Sequence, residues 1–325
     1  MAGFSLPHYL QFGAWVFGAA VAISVFAAVF AMMIGLIERK LIGRIHSRYG
    51  PTMVGPFGSL QTAADAIKFM QKEILIPRRA HALLFLAAPI LMIVLPFVAF
   101  AFLPWGPFTF IKSDYDVLAI VAILALNPIL ILFATWASNN KYSAIGGLRA
   151  VSQTLAYEVV LFAALLSVFF ASGSFRLSDI VSAQKDLWFI VTQPIAFVLL
   201  LFALIAISER QPLDLPEAES EIVQGWLTEY GGPLFAVILL SQYMTFYIIA
   251  FASAAIFLGG WVGPLGWWGF AAKIFFAALI FMVSRATYFR LRLDQLLNLS
   301  WRFLMPLGFA NFFVTILLPG LWFDR

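Results

Sequence analysis

Six carboxyl groups are concentrated in one stretch of this 325-residue chain, between Ser208 and Gly232. The stretch has a single basic residue, Arg210, and over a third of the sixteen acidic residues in the protein. The six are Glu209, Asp214, Glu217, Glu219, Glu221 and Glu229. If this acidic loop (residues 208–232) is well hydrated, it is an ordinary solvated loop. If it folds back against an apolar surface, repulsion and desolvation raise several carboxyl pKa values, and the group can store and pass protons.

Proline and glycine predict a short helix inside the acidic loop. Pro216 suits the first turn of a helix and Gly225 suits its end, so we expect a helix over 216–224. Carboxylates near the positive end of such a helix are stabilised as anions. Glu217 and Glu221, four residues apart, would share one helical face and repel each other.

Two further acids lie at the ends of apolar runs. Glu38 closes the first run and Glu158 comes early in the fourth. Either side chain can extend to the membrane interface as a solvated group. Both are expected at the membrane level of the acidic loop, where they would extend a set of carboxylates that reaches inward from one side.

The composition is that of an integral membrane protein. Apolar residues make up 63% of the chain and charged residues 11%, against about 25% charged residues in a soluble domain. The absence of cysteine excludes thiolate-held iron–sulfur clusters, disulfides and Cys-type zinc sites. The three histidines, His8, His46 and His81, lack ligand spacing, so we predict no metal centre. Any electron transfer therefore takes place on a partner.

Eight continuous apolar runs predict an all-α polytopic membrane protein with a single membrane domain over 1–325, because each run is long enough to cross a ~30 Å hydrocarbon core. The predicted spans are 13–37, 82–103, 116–138, 154–172, 187–207, 233–258, 267–288 and 303–321. Asn127-Pro128 removes a backbone donor inside the third span and predicts a kink. Over 59–73, apolar residues recur at a spacing of three and four, which predicts an amphipathic helix in the interface.

The distribution of basic residues predicts the orientation of the spans. If the segments after spans one, three, five and seven are cytoplasmic, they hold all but five of the twenty Lys and Arg residues. The five exceptions are Lys112, Arg176, Lys185, Lys273 and Arg325. The positive-inside rule then places both termini outside, on the periplasmic side, and the acidic loop in the cytoplasm.

Several long stretches together resemble one family, the quinone-chamber membrane subunit (the H-type subunit) of respiratory NADH–quinone oxidoreductase, or complex I. They are ERK at 38–40, RYGPTMVGPFGSLQTAADAIKFMQKE at 48–73, WASNNKYSAIGGLRAVSQTLAYE at 136–158, LDLPEAESEIVQGWLTEYGG at 213–232, RAT at 285–287 and DQLL at 294–297. They occur in the family's order across nearly the whole chain.

The resemblance implies a subunit of a proton-translocating NADH:quinone (ubiquinone) reductase, without catalysis of its own. Quinone would be the substrate in a chamber shared with soluble subunits, and NAD, FMN and the iron–sulfur clusters would be bound only by partners. The proton path would comprise Glu38, Glu158, Asp214, Glu217, Glu219, Glu221 and Glu229. Arg39, Arg48 and Asp65 would belong either to the quinone chamber or to the interface with the soluble arm.

The implied partners are soluble iron–sulfur and quinone-site subunits, small membrane subunits and antiporter-like subunits, in the inner (plasma) membrane of a bacterium. No nucleic acid is implied. The chain departs from the family at Gln242, where many members have an acid, and a neutral amide cannot exchange a proton. Two alternatives stay open: a homologous membrane anchor of a membrane-bound hydrogenase or non-NADH dehydrogenase, and a lone ion-coupled secondary transporter.

Overall fold

The computed structural model describes residues 6–104, 109–217, 219–263 and 265–317, and every regular element within these ranges is helical. The α-helices are α1 (Leu6–Ile45), α2 (Gln61–Met70), α3 (Ala82–Ala101), α4 (Asp116–Leu124), α5 (Asn127–Ser138), α6 (Lys141–Ser172), α7 (Leu177–Ser182), α8 (Phe189–Thr192), α9 (Pro194–Ile207), α10 (Glu219–Ile222), α11 (Gly232–Phe257), α12 (Gly266–Thr287), α13 (Leu293–Leu299) and α14 (Met305–Leu317). Short 3₁₀ turns lie at Pro56–Gly58, Leu215–Glu217 and Gly225–Leu227, and a π-helical turn at Ser300–Leu304 joins α13 to α14.

Six segments of the described chain are long and apolar enough to cross a membrane. They are Ala82–Ala101, Asp116–Ser138, Lys141–Ser172, Gly232–Phe257, Gly266–Thr287 and Leu293–Leu317. An all-helical, multi-pass architecture is thus confirmed, whereas the predicted count of eight spans is not. The first predicted span lies within α1, whose side chains are described only in part, and the end of the last, at 321, lies outside the described residues.

The fifth predicted span is divided in the structure, so its description as one continuous run is wrong. Gln193 separates α8 from α9 with a non-helical backbone, and α9, with 14 residues, is shorter than a full span. Pro194 has no N–H to continue the hydrogen-bond ladder of the preceding turn. The buried Gln193 side chain stabilises the break, because its Nε2 donates to Thr315 Oγ1 at 3.1 Å and its Oε1 accepts from Asn311 Nδ2 at 3.1 Å.

The third span is interrupted where Asn127-Pro128 predicts a kink. Helix α4 ends at Leu124 and α5 begins at Asn127, with Pro128 in its first turn, where the missing N–H costs no hydrogen bond. The interruption places a polar amide in the middle of an apolar span. Asn127 lies beside the acidic loop, since it lines a small cavity together with Ser208 and Glu209.

Helix α6 lies at the centre of the bundle and packs against α5, α9 and α14. Small residues on it, including Ala150, Ala163 and Ala164, are fully buried, and such residues let neighbouring membrane helices approach closely. Gly146 and Gly147 continue this surface toward the end that meets the acidic loop. The acidic loop therefore rests on a central and largely buried helix.

Helix α2 forms inside the predicted amphipathic segment. None of its residues is buried within the chain, and Ile67 and Met70 are exposed. An exposed apolar face next to charged residues suits a membrane interface or a partner. The position of α2 in the interface stays a prediction.

Candidate functional site

The acidic loop folds into the helix bundle and is not a solvated surface loop. Leu213, Leu215 and Trp226 are almost completely buried. Gln153 of α6 donates from Nε2 to the carbonyl oxygens of Ala206 and Leu213, at 2.8 and 2.6 Å. The sequence allows either a hydrated loop or a loop folded against an apolar surface. The structure favours the second, in which carboxyl groups of the loop are desolvated.

The predicted single helix over 216–224 is wrong. The loop forms a 3₁₀ turn at Leu215–Glu217, the one-turn helix α10, and a second 3₁₀ turn at Gly225–Leu227. Tertiary contacts determine this path, because the backbone of Gly225 and Trp226 lies directly against Gly146 of α6. A continuous helix would not bring each carboxyl group to a different neighbour.

Glu38 lies at the meeting point of α1, α12 and the acidic loop. Its side chain is only 1% exposed, and its Oε1 accepts from Arg285 Nη1 at 2.7 Å and also from Arg210 Nη1. The Arg210 guanidinium group in turn lies over the rings of Tyr243 and Phe246, at 4.8 and 4.5 Å from their centroids. Glu38 is therefore a fixed anion that holds the start of the loop against α1.

Three acids of the loop are bound by donors from distant parts of the chain. Asp214 accepts two hydrogen bonds from Arg290, at 2.7 Å from Nε and 2.8 Å from Nη2. Glu221 pairs with Arg149 Nη1 and Glu229 accepts from Asn140 Nδ2, both at 2.5 Å. Bidentate and charge-assisted bonds of this kind are stronger than bonds between neutral groups and fix the geometry of the carboxylate. We predicted that Glu217 and Glu221 repel each other on one helical face. In the structure they have different partners, since Glu221 pairs with Arg149 and Glu217 accepts from Gln242.

Glu209 and Glu217 differ from Glu38, Asp214 and Glu221, which pair with arginines, because their direct hydrogen-bond donors in the described part of the chain are neutral. Glu217 Oε1 accepts from Gln242 Nε2 at 2.7 Å, and Glu209 Oε2 accepts from Trp226 Nε1 at 3.3 Å. Burial and, to a smaller extent, the negative charge of Glu217 raise the pKa of Glu209 to about 8, although the Trp226 hydrogen bond opposes the shift. Burial also raises the pKa of Glu217, against the opposing hydrogen bond from Gln242. Glu209 can therefore exchange protons near neutral pH, and the pKa of Glu217 is shifted in the same direction.

The sequence did not single out Glu209 within the acidic loop. Its position in the sequence could have identified it, because Glu209 follows the end of α9 by only two residues and is therefore held close to the helix bundle. Glu158 of α6 is half-buried, and its Oε1 has no hydrogen-bond partner in the described part of the chain. The side chain of Glu219 lies outside the described residues.

A cleft of about 580 Å³ opens beside α1 and the segment that follows it. Its charged and polar lining consists of Glu38, Arg39, His46, Arg48, Tyr49, Gln211, Tyr243 and Arg285. Asp65 of α2 pairs with Arg39 at 2.5 Å and thereby holds that guanidinium group beside the cleft. The structure thus brings together Arg39, Arg48 and, through Arg39, Asp65. No group of three metal-ligating side chains occurs among the described residues.

A second cavity, of about 100 Å³, continues from the cleft into the bundle. Both cavities are lined by Gln211, Tyr243 and Arg285, and the smaller one is also lined by Asp214, Glu217 and Glu209. The arrangement is therefore a wide opening with cationic walls that leads to carboxyl groups able to take up and release protons.

Comparisons with known proteins agree on one family. The family model described as NADH dehydrogenase matches residues 18–316. The chain is 40% identical over 306 residues to the H-type subunit of NADH-quinone oxidoreductase from Carboxydothermus hydrogenoformans, which covers 91% of this chain and 87% of that protein. It is 41% identical over 297 residues to the same subunit of Anoxybacillus flavithermus and 42% identical over 299 residues to that of Geobacillus kaustophilus, with 89% of each chain covered in both cases.

Proposed function

Since the chain belongs to the NADH dehydrogenase family that includes the H-type subunit of NADH-quinone oxidoreductase, we propose that it forms the quinone chamber of such a complex and couples quinone reduction to proton transfer. It is a multi-pass membrane subunit of an oxidoreductase complex. We expect no catalysis by the chain alone, because the electrons come from groups that partner subunits hold.

The succession of two cavities carries this proposal. The cleft of about 580 Å³ is large enough for the head group of a quinone, and Arg39, Arg48 and Tyr49 line its wall. Arg285 and Tyr243 stand where the cleft meets the smaller cavity, which contains Glu217 and Glu209. A quinone reduced in the cleft takes up two electrons and two protons, and this cavity offers two carboxyl groups whose direct hydrogen-bond donors in the described part of the chain are neutral.

The acids have different proposed roles. Glu217 and Glu209 hold and release protons, because Glu209 is buried, Glu217 lines the same cavity and both are bound by neutral donors. Glu38, Asp214, Glu221 and Glu229 make ion pairs or hydrogen bonds to distant parts of the chain and keep the loop in place. Glu158 and Glu219 are proposed to continue the path toward neighbouring proton-translocating subunits.

The remaining partners follow from this assignment. We propose that soluble subunits bearing NAD, FMN and iron–sulfur clusters bind above the cleft, where Arg44, Arg48 and Arg78 are exposed. Small membrane subunits and antiporter-like subunits would flank the helices in the inner membrane of a bacterium, with both termini of this chain on the periplasmic side. The names of the relatives favour this assignment over a hydrogenase anchor or a lone transporter.

Purification with partners tests the proposal. The chain would be tagged in its native host, extracted in mild detergent and assayed with the proteins that copurify. We expect NADH-driven quinone reduction by an assembly that contains flavin and iron–sulfur clusters. Copurification with a nickel-containing subunit, or a monomer that transports a solute by itself, would contradict the proposal.

A further inference from the structure

A third and much smaller cavity lies next to Glu209, between the acidic loop and the helices of the bundle. Its volume is about 20 Å³, and it shares Ser208, Glu209 and Gln242 with the cavity of about 100 Å³ that contains Glu217. Its other polar lining comes from Asn127, Ser241 and Thr245. The remaining wall consists of Trp226, whose indole N–H donates to Glu209, and of the apolar Met92, Ile207 and Ile238.

The position of its walls places this inner cavity near the middle of the membrane. Asn127 is the central residue of the 23-residue span Asp116–Ser138, at the interruption between α4 and α5. Thr245 likewise lies at the middle of the 26-residue helix α11. Two independent helices thus present a polar side chain at the same depth, next to a carboxyl group of the acidic loop.

Glu209 has an unused hydrogen-bonding atom beside this cavity. The residue is 6% exposed, and while Oε2 accepts from Trp226, Oε1 has no hydrogen-bond partner in the described part of the chain. A buried carboxyl oxygen without a partner is costly. A cavity of this size has room for one water, which needs about 10–15 Å³ and two to four polar partners.

We propose that the inner cavity binds one water molecule, which bridges Glu209 Oε1 to Asn127 and Thr245 and lets Glu209 change its protonation state at mid-membrane depth. The water donates to Oε1 when the carboxyl group is ionised and accepts from it when the group is protonated. Asn127 supports both orientations, since an amide has a donor and an acceptor. Asn127 and Thr245 are positioning residues, because they act on Glu209 through the water.

The proposed proton exchange takes place between two carboxyl groups of this chain. One proton leaves the Glu217 carboxyl group and one arrives at the Glu209 carboxylate, through the cavity that both groups line. Asp214, Arg210 and Arg285 border the same cavity and are the charged groups that this exchange meets. The inference rests on the proposed function only in giving this exchange a role in quinone reduction.

Two matched pairs of variants in the intact complex, assayed in native membranes, test the proposal. Thr245→Val has almost the same shape as threonine but lacks the hydroxyl group, whereas Thr245→Ser keeps it. Asn127→Leu fills the site with an apolar side chain, whereas Asn127→Ser leaves room and a polar group. Electron transfer from NADH to a water-soluble acceptor, which needs only the soluble subunits, reports on assembly.

We expect Thr245→Val and Asn127→Leu to lower NADH-driven quinone reduction by roughly tenfold, the worth of about one hydrogen bond. Thr245→Ser and Asn127→Ser, which keep a polar group, should rescue most of this loss. The infrared carboxyl band of Glu209, identified by its loss in Glu209→Gln, should move to higher frequency in Thr245→Val as a hydrogen bond is lost. Full activity in both apolar variants and an unmoved band would overturn the proposal, as would a dry cavity in a high-resolution structure of the complex. If wild-type membranes fail to reduce quinone with NADH, the proposed function fails, while the infrared band and the cavity density still test the water.

Discussion

At Glu38, two arginine guanidinium groups meet one carboxylate oxygen, and at Asp214 a single guanidinium group binds both oxygens. Glu217 and Glu209 lie in the same loop, yet an amide and an indole are their donors. Removing one partner of a buried ion pair costs ~3–5 kcal/mol, so the paired acids are suited to hold structure. The neutral donors leave Glu217 and Glu209 free to change charge.

The Glu209 carboxyl group predicts a specific pH dependence of stability. Its pKa is raised by burial from 4.5 to about 8 in the folded chain, so the folded state favours the protonated form. That contribution is full below about pH 4.5 and is lost as the pH rises toward about 8. In Glu209→Gln, the unfolding temperature of the complex should match the wild type at low pH and exceed it increasingly toward pH 8.

Scanning fluorimetry of the purified complex across this pH range measures the effect. Glu73→Gln, which changes an exposed carboxyl group, is the control. A difference between Glu209→Gln and the wild type that does not grow with pH would contradict the buried, protonated state of Glu209.

The sequence predicted which residues carry negative charge, but not which of them are paired. Arg149 lies 72 residues from Glu221, Arg290 lies 76 residues from Asp214, and Asn140 lies 89 residues from Glu229. Such pairings depend on how the helices pack, and the spacing of residues along the chain contains no record of them. Proton-exchanging acids are recognised only after these partners are assigned.

Helices and the loop between them position these groups. The long apolar runs predict helices correctly, because an apolar segment in lipid must satisfy its own backbone hydrogen bonds. The break at Gln193-Pro194 was missed, since its stabilising partners Asn311 and Thr315 belong to the last helix. The acidic loop was predicted as one helix because local turn signals do not report its contact with Gly146.

At Gly225 of the acidic loop, both the backbone conformation and the surrounding space require glycine. Its φ is +56°, and an added Cβ would lie 1.7 Å from the carbonyl oxygen of Pro216. A side chain in this left-handed region costs ~1–2 kcal/mol before the clash is counted. We expect Gly225→Ala to displace the turn that carries Trp226 and to abolish most NADH-driven quinone reduction in native membranes.

Gly231→Ala is the matched control, because an added Cβ at Gly231 meets no atom within 4 Å. This variant should retain wild-type activity. Equal activity of the two alanine variants would show that the loop tolerates another path, against the structure.

The molecule as a whole exposes a basic surface beside the cleft. Arg44, Arg48 and Arg78 are exposed, and they are predicted to dock the soluble arm through screened electrostatic attraction. Replacing all three with glutamine should lower the salt concentration at which soluble subunits dissociate from the membrane. Sedimentation of membranes over a salt series measures this, and an unchanged dissociation profile would remove these residues from the interface.

Glu217 is proposed to transfer protons during quinone reduction, and proton uptake by the reconstituted complex is the decisive measurement of that role. Wild-type complex in liposomes should translocate protons as NADH reduces quinone. Glu217→Gln should lower both rates by roughly a hundredfold, with electron transfer to a water-soluble acceptor intact. Glu73→Gln, which changes an exposed carboxyl group outside the acidic loop, should change them little. Wild-type quinone reduction and proton translocation in Glu217→Gln would show that this carboxyl group is not on the proton path.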